Sequence, residues 1–350
     1  MIPAKAYAAL DEKTPLQPFS FDRRDLRSDD VHVKILYCGV CHSDIHQARN
    51  EWGGGSLYPM VPGHEIIGEV VAVGAAVSRF KTGDRIGAGV MVDSCCSCKN
   101  CARDMEQYCE EGMTGTYNGY ERDGKTLAQG GYSTQIVVKD RFVVHISDKL
   151  DPAGAAPLLC AGITTYSPLR FAKVTAGQKV AVVGLGGLGH MGVKFAVSFG
   201  AEVTVISTSP SKEADAKRLG AHKFLLSTDA EAMKKHNSYF DVILDTVSAN
   251  HDYTNFLDLL DLEGKLLIVG LPSKEPSLSP FSLITKRRSI IGSMIGGMKE
   301  TQEMLDYCAE KNIVSDVEVI PMQYINEAYE RMLKMDVKYR FVINLASLEA

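Results

Sequence analysis

The sequence lacks any concentrated block of positive charge: 38 Lys and Arg against 43 Asp and Glu leave a net charge of −5 spread along 350 residues. A nucleic-acid groove or an anionic membrane surface calls for a cationic face, so neither is an expected partner. No apolar run is long enough to span a bilayer, and Met1 to Thr14 lacks the basic start and continuous apolar stretch of a secretion signal. Internal repeats, low-complexity tracts and long linkers are also missing. These absences leave a soluble cytoplasmic protein acting on a small molecule as the expectation.

What is present is enough apolar material, 45% of residues, for about two ordinary domains with cores of their own. Up to about Leu150 the chain is a patchwork of short β-rich runs, including Val31 to Tyr37, Glu69 to Val73 and Ser133 to Val138, broken by glycines and prolines. From Lys179 the texture changes. Apolar strands at Val180 to Val183, Val203 to Ser207, Phe224 to Leu226, Asp241 to Leu244, Lys265 to Val269 and Ser289 to Gly292 alternate with helical patterns. That alternation predicts a parallel sheet with helices on both faces. An amphipathic pattern at Ile325 to Met335 and an apolar strand from Arg340 to Leu345 close the chain. These last two fit either half.

Gly184-Leu185-Gly186-Gly187-Leu188-Gly189 follows directly on a strand and opens a helical run through Phe199. In that context the G-x-G-x-x-G spacing has a mechanism. Gly184 permits the tight turn, Gly186 lets the backbone approach a pyrophosphate, and Gly189 allows close helix packing, with the helix N-terminus facing the phosphates. Where the next strand ends, an NAD enzyme places an acid against the ribose hydroxyls, but here stand Ser207, Thr208 and Ser209. Ser209-Pro210 has the look of a helix cap and first turn, and Lys212 adds a cation. Hydroxyls, a helix start and a cation suit a 2′-phosphate, so NADP(H) is preferred over NAD. The nearby acid, Glu202, falls at the wrong end of the strand.

Nine cysteines would suit a disulfide framework only in a short secreted chain. Cys95, Cys98, Cys101 and Cys109 form C-x2-C-x2-C-x7-C in a segment with too few apolar residues for a core. Four thiolates around one zinc would replace that core, and the closed shell would make the metal structural. Cys96 is an alternative first ligand, although the even spacing with Cys98 and Cys101 favours Cys95. Elsewhere, Cys41, His64 and Cys160 make a plausible three-ligand zinc set with one open position, and Glu65 lies alongside. Spacing alone leaves Cys160 equally readable as a small core residue, His64 as a turn residue and Glu65 as a surface charge.

Gly39-Val40-Cys41-His42-Ser43-Asp44, Gly63-His64-Glu65, the four-cysteine lobe, Leu159-Cys160-Ala161-Gly162-Ile163-Thr164 and the glycine turn occur in the order seen in zinc-containing medium-chain alcohol dehydrogenases. The sequence resembles that family over essentially its whole length. Through Cys38 to Asp44 and Gly292 to Gly296 it looks closest to the cinnamyl alcohol dehydrogenase branch and to bacterial broad-range NADPH-dependent aldehyde reductases. The resemblance implies an α/β protein in which a GroES-like, mostly β catalytic domain (1–160 and 299–350) accepts a Rossmann doubly wound parallel-sheet domain (161–298).

By the same resemblance Cys41, His64 and Cys160 hold catalytic zinc, and Glu65 is an alternate ligand. Ser43 bonds the substrate oxygen and His46 passes its proton to solvent through the nicotinamide ribose. Thr164, Met294 and Ile295 are further cofactor candidates. Two zinc ions per chain and a homodimer are implied. In such a site zinc polarises a carbonyl oxygen while the nicotinamide delivers hydride, so the expected reaction is reversible reduction of aromatic and aliphatic aldehydes. The alternative is a narrower NAD(P)-dependent alcohol or polyol dehydrogenase working oxidatively. Trp52, Tyr58 and Met113, with Met294 and Ile295, are candidates for an apolar cleft, although each also reads as core. Cys38 and Cys308 are expected as buried thiols.

Overall fold

Val31, Val33 and Ile35 alternate with His32 and Lys34, and in the computed structural model the first three are buried on a strand running Asp30–Gly39. The structure describes residues 1–272 and 274–349. That strand lies at the centre of a seven-stranded, largely antiparallel sheet. Its register pairs Ile35 with Gly68 of Ile66–Val73 and Val33 with Ile136 of Gln135–Lys139. On its far end Cys38 pairs with Ile343 of Arg340–Asn344, so the closing strand belongs to the sheet of the N-terminal half. The amphipathic helix Ile325–Leu333 precedes it and buries Ile325, Ala328, Tyr329 and Met332.

By contacts the chain divides into two units, Met1–Cys160 with Gly296–Ala350, and Ala161–Ile295. The second is built on six parallel strands, each predicted from its apolar run. Their order is Lys223–Leu226, Glu202–Ser207, Lys179–Val183, Phe240–Asp245, Leu260–Ile268 and Ser289–Gly292. In sequence order this is 3-2-1-4-5-6, the doubly wound Rossmann arrangement. Val180, Ala181, Val182 and Val183 are all buried because both faces of the sheet are covered. On one face Ala181, Val183, Ile206 and Ile243 join Tyr253, Phe256 and Leu257 in a common core. Elsewhere in this unit Tyr166 of the Ala161–Phe171 helix packs edge-on against Phe195, 5.2 Å between ring centres.

The order reverses between Lys179–Val183 and Phe240–Asp245, and an open α/β sheet forms its ligand crevice beyond the carboxyl ends of two such strands. Among the described residues no helix is long and apolar enough to cross a membrane.

Candidate metal centres and dinucleotide site

The Asp30–Gly39 strand ends where side-chain space runs out: a Cβ on Gly39 would overlap Glu65 Oε2. Two residues later Cys41 caps the helix His42–Ala48, and Asp44, at its third position, accepts from the Cys41 backbone N–H at 2.9 Å. Asp44 is wholly buried and also accepts from Gly63 N–H (3.1 Å), Tyr132 O–H (3.0 Å) and His64 Nδ1 (3.0 Å). One carboxylate therefore fixes the loop bearing His64 and the tautomer of its ring, leaving Nε2 for a metal. Burial works against a charged His64, but the Asp44 carboxylate outweighs it and holds the imidazole well above its ordinary pKa.

Cys160 follows the short turn Ala156–Leu159, and its sulfur lies 4.0 Å from that of Cys41. The ligand atoms of Cys41, His64, Glu65 and Cys160 fall within 4.8 Å of one another, and all four residues are buried. Tetrahedral zinc–sulfur geometry sets two thiolates about 3.8 Å apart, so the pair is spaced for one ion. The Cys41 thiol is pulled well below its usual range, first by the bond from Cys160, then by the charges of Arg340 and His64. Cys160 is pushed up because it donates that bond, and its burial adds to the effect.

Glu65 completes the group. Its Oε1 accepts from Arg340, at the start of the closing strand, whereas the buried Oε2 has no hydrogen-bond partner among the described residues. Burial lifts the carboxyl to about 7 against the opposing charge of Arg340. A buried carboxylate oxygen without a partner beside two thiols and an imidazole is the donor set of a transition-metal site, and zinc fits it.

The second cluster is formed by Cys95, Cys98, Cys101 and Cys109. Backbone amides turn inward onto the sulfurs: Cys98 N–H to Cys95 (3.3 Å), Cys95 N–H to Cys109 (3.4 Å) and Glu110 N–H to Cys98 (3.5 Å). Such bonds favour thiolate, and the amides of Ser97 and Cys98 draw Cys95 down to about 6. Burial pushes Cys101 up to about 12. Cys96 adopts a left-handed backbone (φ +59°) and turns its sulfur to Ser94 O, 3.4 Å away, outside the cluster.

In the Ala161–Ile295 unit Gly184 has φ +86°, and a Cβ on Gly189 would strike Gly184 O. Around Gly186 nothing lies within 4 Å of a Cβ position, so the turn leaves an open cradle there. Half-buried Gly187 and Leu188 lead into the helix Gly189–Ser198. A pyrophosphate fits a cradle of this shape. At the end of Glu202–Ser207, Ser207 Oγ accepts from Ser209 N–H at 3.2 Å, Thr208 is exposed, and Lys212 makes no ion pair among the described residues.

Two family models match the chain: an alcohol dehydrogenase GroES-like domain over residues 27–148 and a zinc-binding dehydrogenase over residues 187–310. A probable mannitol dehydrogenase of Medicago sativa is 53% identical over 99% of this chain and 96% of its own. The aldehyde reductase YahK of Escherichia coli is 52% identical over 98% and 99%. Among solved structures, a cinnamyl alcohol dehydrogenase from Sorghum bicolor superposes with TM-score 0.95 at 45% identity, covering 98% of both chains. A CAD from Helicobacter pylori complexed with NADP(H) gives 0.92 at 40%, covering 99% of both. The chain belongs to the zinc-containing alcohol dehydrogenase family.

In this alcohol dehydrogenase Ser43 Oγ lies 3.6 Å from Cys41 Sγ. His46 sits one turn further along the same helix, its Nδ1 2.6 Å from Glu51 Oε2 and its ring stacked on half-exposed Trp52 at 5.4 Å. No hydrogen bond joins Ser43 to His46 among the described residues. Tyr58 is half-buried, with its hydroxyl on Ala48 O at 2.9 Å, and Met113 is half-buried. Thr164 is buried in the Ala161–Phe171 helix, Met294 is exposed, and Ile295 holds a left-handed φ of +39° that a β-branched residue rarely adopts. Cys38 and Cys308 are buried and reduced.

Helical geometry after the second Rossmann strand begins where expected, with Ser209 at the N-cap position and Pro210 as first helical residue. Its first turn, Pro210–Lys212, is however 3-10 and leads into the α-helix from Glu213, and the Ser209 hydroxyl makes no cap bond, lying 2.8 Å from that of Ser211. Sequence reasoning assigned no role to Asp44, Arg340 and Tyr117. Asp44 closes a capping box with Cys41 in the fold, but Cys-x-x-Asp is not the Ser/Thr-x-x-Glu/Gln pattern that marks one in a sequence. Arg340 is 275 positions from Glu65, and no local pattern reports such a pair. Tyr117 stacks on the His64 ring at 5.9 Å, equally beyond the reach of spacing.

Proposed function

We propose that the enzyme catalyses reversible reduction of aldehydes to primary alcohols with NADPH, over a broad range of aromatic and aliphatic aldehydes. The observation that carries the reading is the buried convergence of Cys41, His64 and Cys160 beside Glu65, in a chain whose second unit presents an open glycine cradle. Zinc held by the first three supplies Lewis acidity at a carbonyl oxygen, and the dinucleotide supplies hydride. Ser43, beside Cys41, would donate to the substrate oxygen, and His46, partly exposed and held by Glu51, would exchange that proton with solvent by way of the ribose hydroxyls of a bound nicotinamide cofactor. Glu65, with its unpaired oxygen, serves as a reserve ligand. The lobe cysteines hold a structural zinc.

Ser207, Thr208, Ser209 and Lys212 would receive the 2′-phosphate, and the absence of an acid at the strand end favours NADP(H) over NAD. The CAD solved with NADP(H) is in keeping with this. Gly184, Gly186, Gly187, Leu188 and Gly189 take the pyrophosphate, and Thr164, Met294 and Ile295 are further cofactor contacts; the strained backbone of Ile295 suits a functional position. Trp52, Tyr58 and Met113 are assigned to the substrate pocket. Residues 1–160 and 299–350 are read as the catalytic domain, 161–298 as the cofactor domain.

The homodimer is supported by an unpaired sheet edge. Ser289–Gly292 is the outermost Rossmann strand, and Leu271, Leu278, Phe281 and Ile284 in the preceding segment are exposed. Nine cysteines, none in a disulfide, are in keeping with a reducing cytoplasm.

A narrower polyol or alcohol dehydrogenase is the second reading, prompted by the probable mannitol dehydrogenase. Purified enzyme with NADPH or NADH and a panel of aldehydes, alcohols and polyols separates the two. Turnover of several aldehydes with NADPH supports the first; activity confined to a polyol with NAD would sink it.

A further inference from the structure

The Ala161–Ile295 unit contains a hydrogen-bonded aspartate–histidine pair that the chemistry above leaves unused. Asp245 ends the Phe240–Asp245 strand with no solvent exposure. Its Oδ1 accepts from Val247 N–H at 3.1 Å, and its Oδ2 is hydrogen-bonded to His251 Nε2 at 2.7 Å. The other ring nitrogen, Nδ1, lies 2.7 Å from Ala249 O. Both ring nitrogens are thus engaged, one by the buried carboxyl group and the other by a main-chain oxygen, so the ring bridges the strand end to Ala249. Tyr253 and Phe256 pack against it, with ring centres at 5.3 and 5.4 Å, which restrains the ring sterically.

Residues 246–252 form no helix or strand, and side-chain bonds set much of their path: besides those of His251, Ser248 Oγ accepts from Leu271 N–H at 3.3 Å and Asn250 Oδ1 from Lys274 N–H at 2.9 Å, while Thr246 N–H donates to Val183 O at 3.2 Å. The path is demanding. Thr246 Oγ1 donates to Val183 O at 2.7 Å, and a Cβ on Gly184 would meet Val247 Cγ2 at 2.8 Å and Thr246 Oγ1 at 3.1 Å. A Cβ on Gly270 would overlap Val247 O. Thr246 and Val247 are therefore pressed against the glycine turn, at the reversal of strand order between Lys179–Val183 and Phe240–Asp245.

We propose that His251 is a positioning residue for the dinucleotide: by tying Ala249 to the buried Asp245 carboxylate, it holds Thr246 and Val247 as a wall of the cofactor crevice. This rests on the reading that the glycine turn binds the dinucleotide. Removing the imidazole leaves a buried carboxylate with one remaining partner and frees the segment to relax away from Gly184. The proposed metal ligands and proton relay belong to the other unit, so the loss falls on cofactor binding.

The test is direct NADPH titration by fluorescence on wild-type enzyme, His251→Leu, His251→Gln and Gly184→Val, with zinc content, circular dichroism and kcat at saturating NADPH measured alongside. Loss of the bridging hydrogen bond beside a buried carboxyl group predicts a Kd raised about tenfold for His251→Leu, with kcat within about twofold of wild type. His251→Gln keeps one neutral donor toward Asp245 and should weaken binding less, by about threefold. A wild-type Kd in His251→Leu overturns the proposal. So does a parallel fall in kcat and zinc content, which marks general damage. If His251→Leu does not fold, an unchanged Kd in His251→Gln overturns it equally. Binding lost in Gly184→Val but kept in both His251 variants removes the positioning role and leaves the cofactor reading intact; absence of NADPH binding in the wild type removes both.

Discussion

Arg340 donates to Glu65 inside a protein interior that excludes solvent from both side chains, joining the first residue of the closing strand to the residue after His64. The guanidinium balances the carboxylate on one side, and the carboxylate's second oxygen is left unpaired toward the thiols of Cys41 and Cys160.

Arg340→Met should remove the balancing charge and leave Glu65 buried alone. Breaking one partner of a buried pair typically destabilises by about 3–5 kcal/mol. The urea midpoint should fall accordingly, and an unchanged midpoint would show that Glu65 finds water or another partner.

Glu65 also sets a pH dependence in zinc-free protein. Its folded carboxyl is raised from 4.5 to about 7, chiefly by burial, so between those values the folded state holds a proton that the unfolded state has released. Stability therefore falls as pH rises across that window. Glu65→Gln should flatten the profile of unfolding midpoint against pH over the same range.

Asp44→Asn should keep the fold of the helix start but lose the carboxylate that fixes the His64 tautomer. Changes of this kind cost about 10–100-fold in metal affinity. Competition with a zinc chelator would measure it, and the variant should release one zinc readily and retain the lobe zinc.

Cys95 should be the reactive lobe thiol once zinc is stripped. Its pKa is drawn down to about 6 by backbone amides, so the thiolate predominates at neutral pH and is lost as pH falls through that value. Iodoacetamide labelling followed by peptide mapping should show Cys95 modified faster than Cys101 at pH 7, with zinc protecting both. Preferential labelling of Cys101 would contradict the assignment.

Ser207→Asp places a carboxylate where the strand meets the proposed 2′-phosphate site. Repulsion should raise KM for NADPH about tenfold or more while NADH gains relative to it. Equal effects on both cofactors would mean that this strand end does not face the ribose.

The linear sequence carried most of the architecture because its determinants are local. Six apolar strands alternating with helical patterns dictate a parallel sheet, since each strand needs cover on both faces. The glycine turn was legible because φ above zero and close approach both demand glycine at fixed spacing, and the four-cysteine lobe because its ligands fall within 15 consecutive residues, Cys95 to Cys109. Family resemblance added the GroES-like fold of the first part.

Tertiary structure decided what depends on distant residues meeting. It drew Cys160 to within 4.0 Å of Cys41, set Arg340 against Glu65, and turned Cys96 away from a cluster that its sequence position left open to it. It also carried the closing strand back to the sheet of the first unit through the pairing of Cys38 with Ile343. The His251 clamp belongs to this class as well: sequence offers only a histidine six residues after an aspartate, and the two oxygens that engage its ring are brought to it only by the folded chain. Apolar periodicity fixes which face of an element is buried; which charges share that interior is settled when the elements pack.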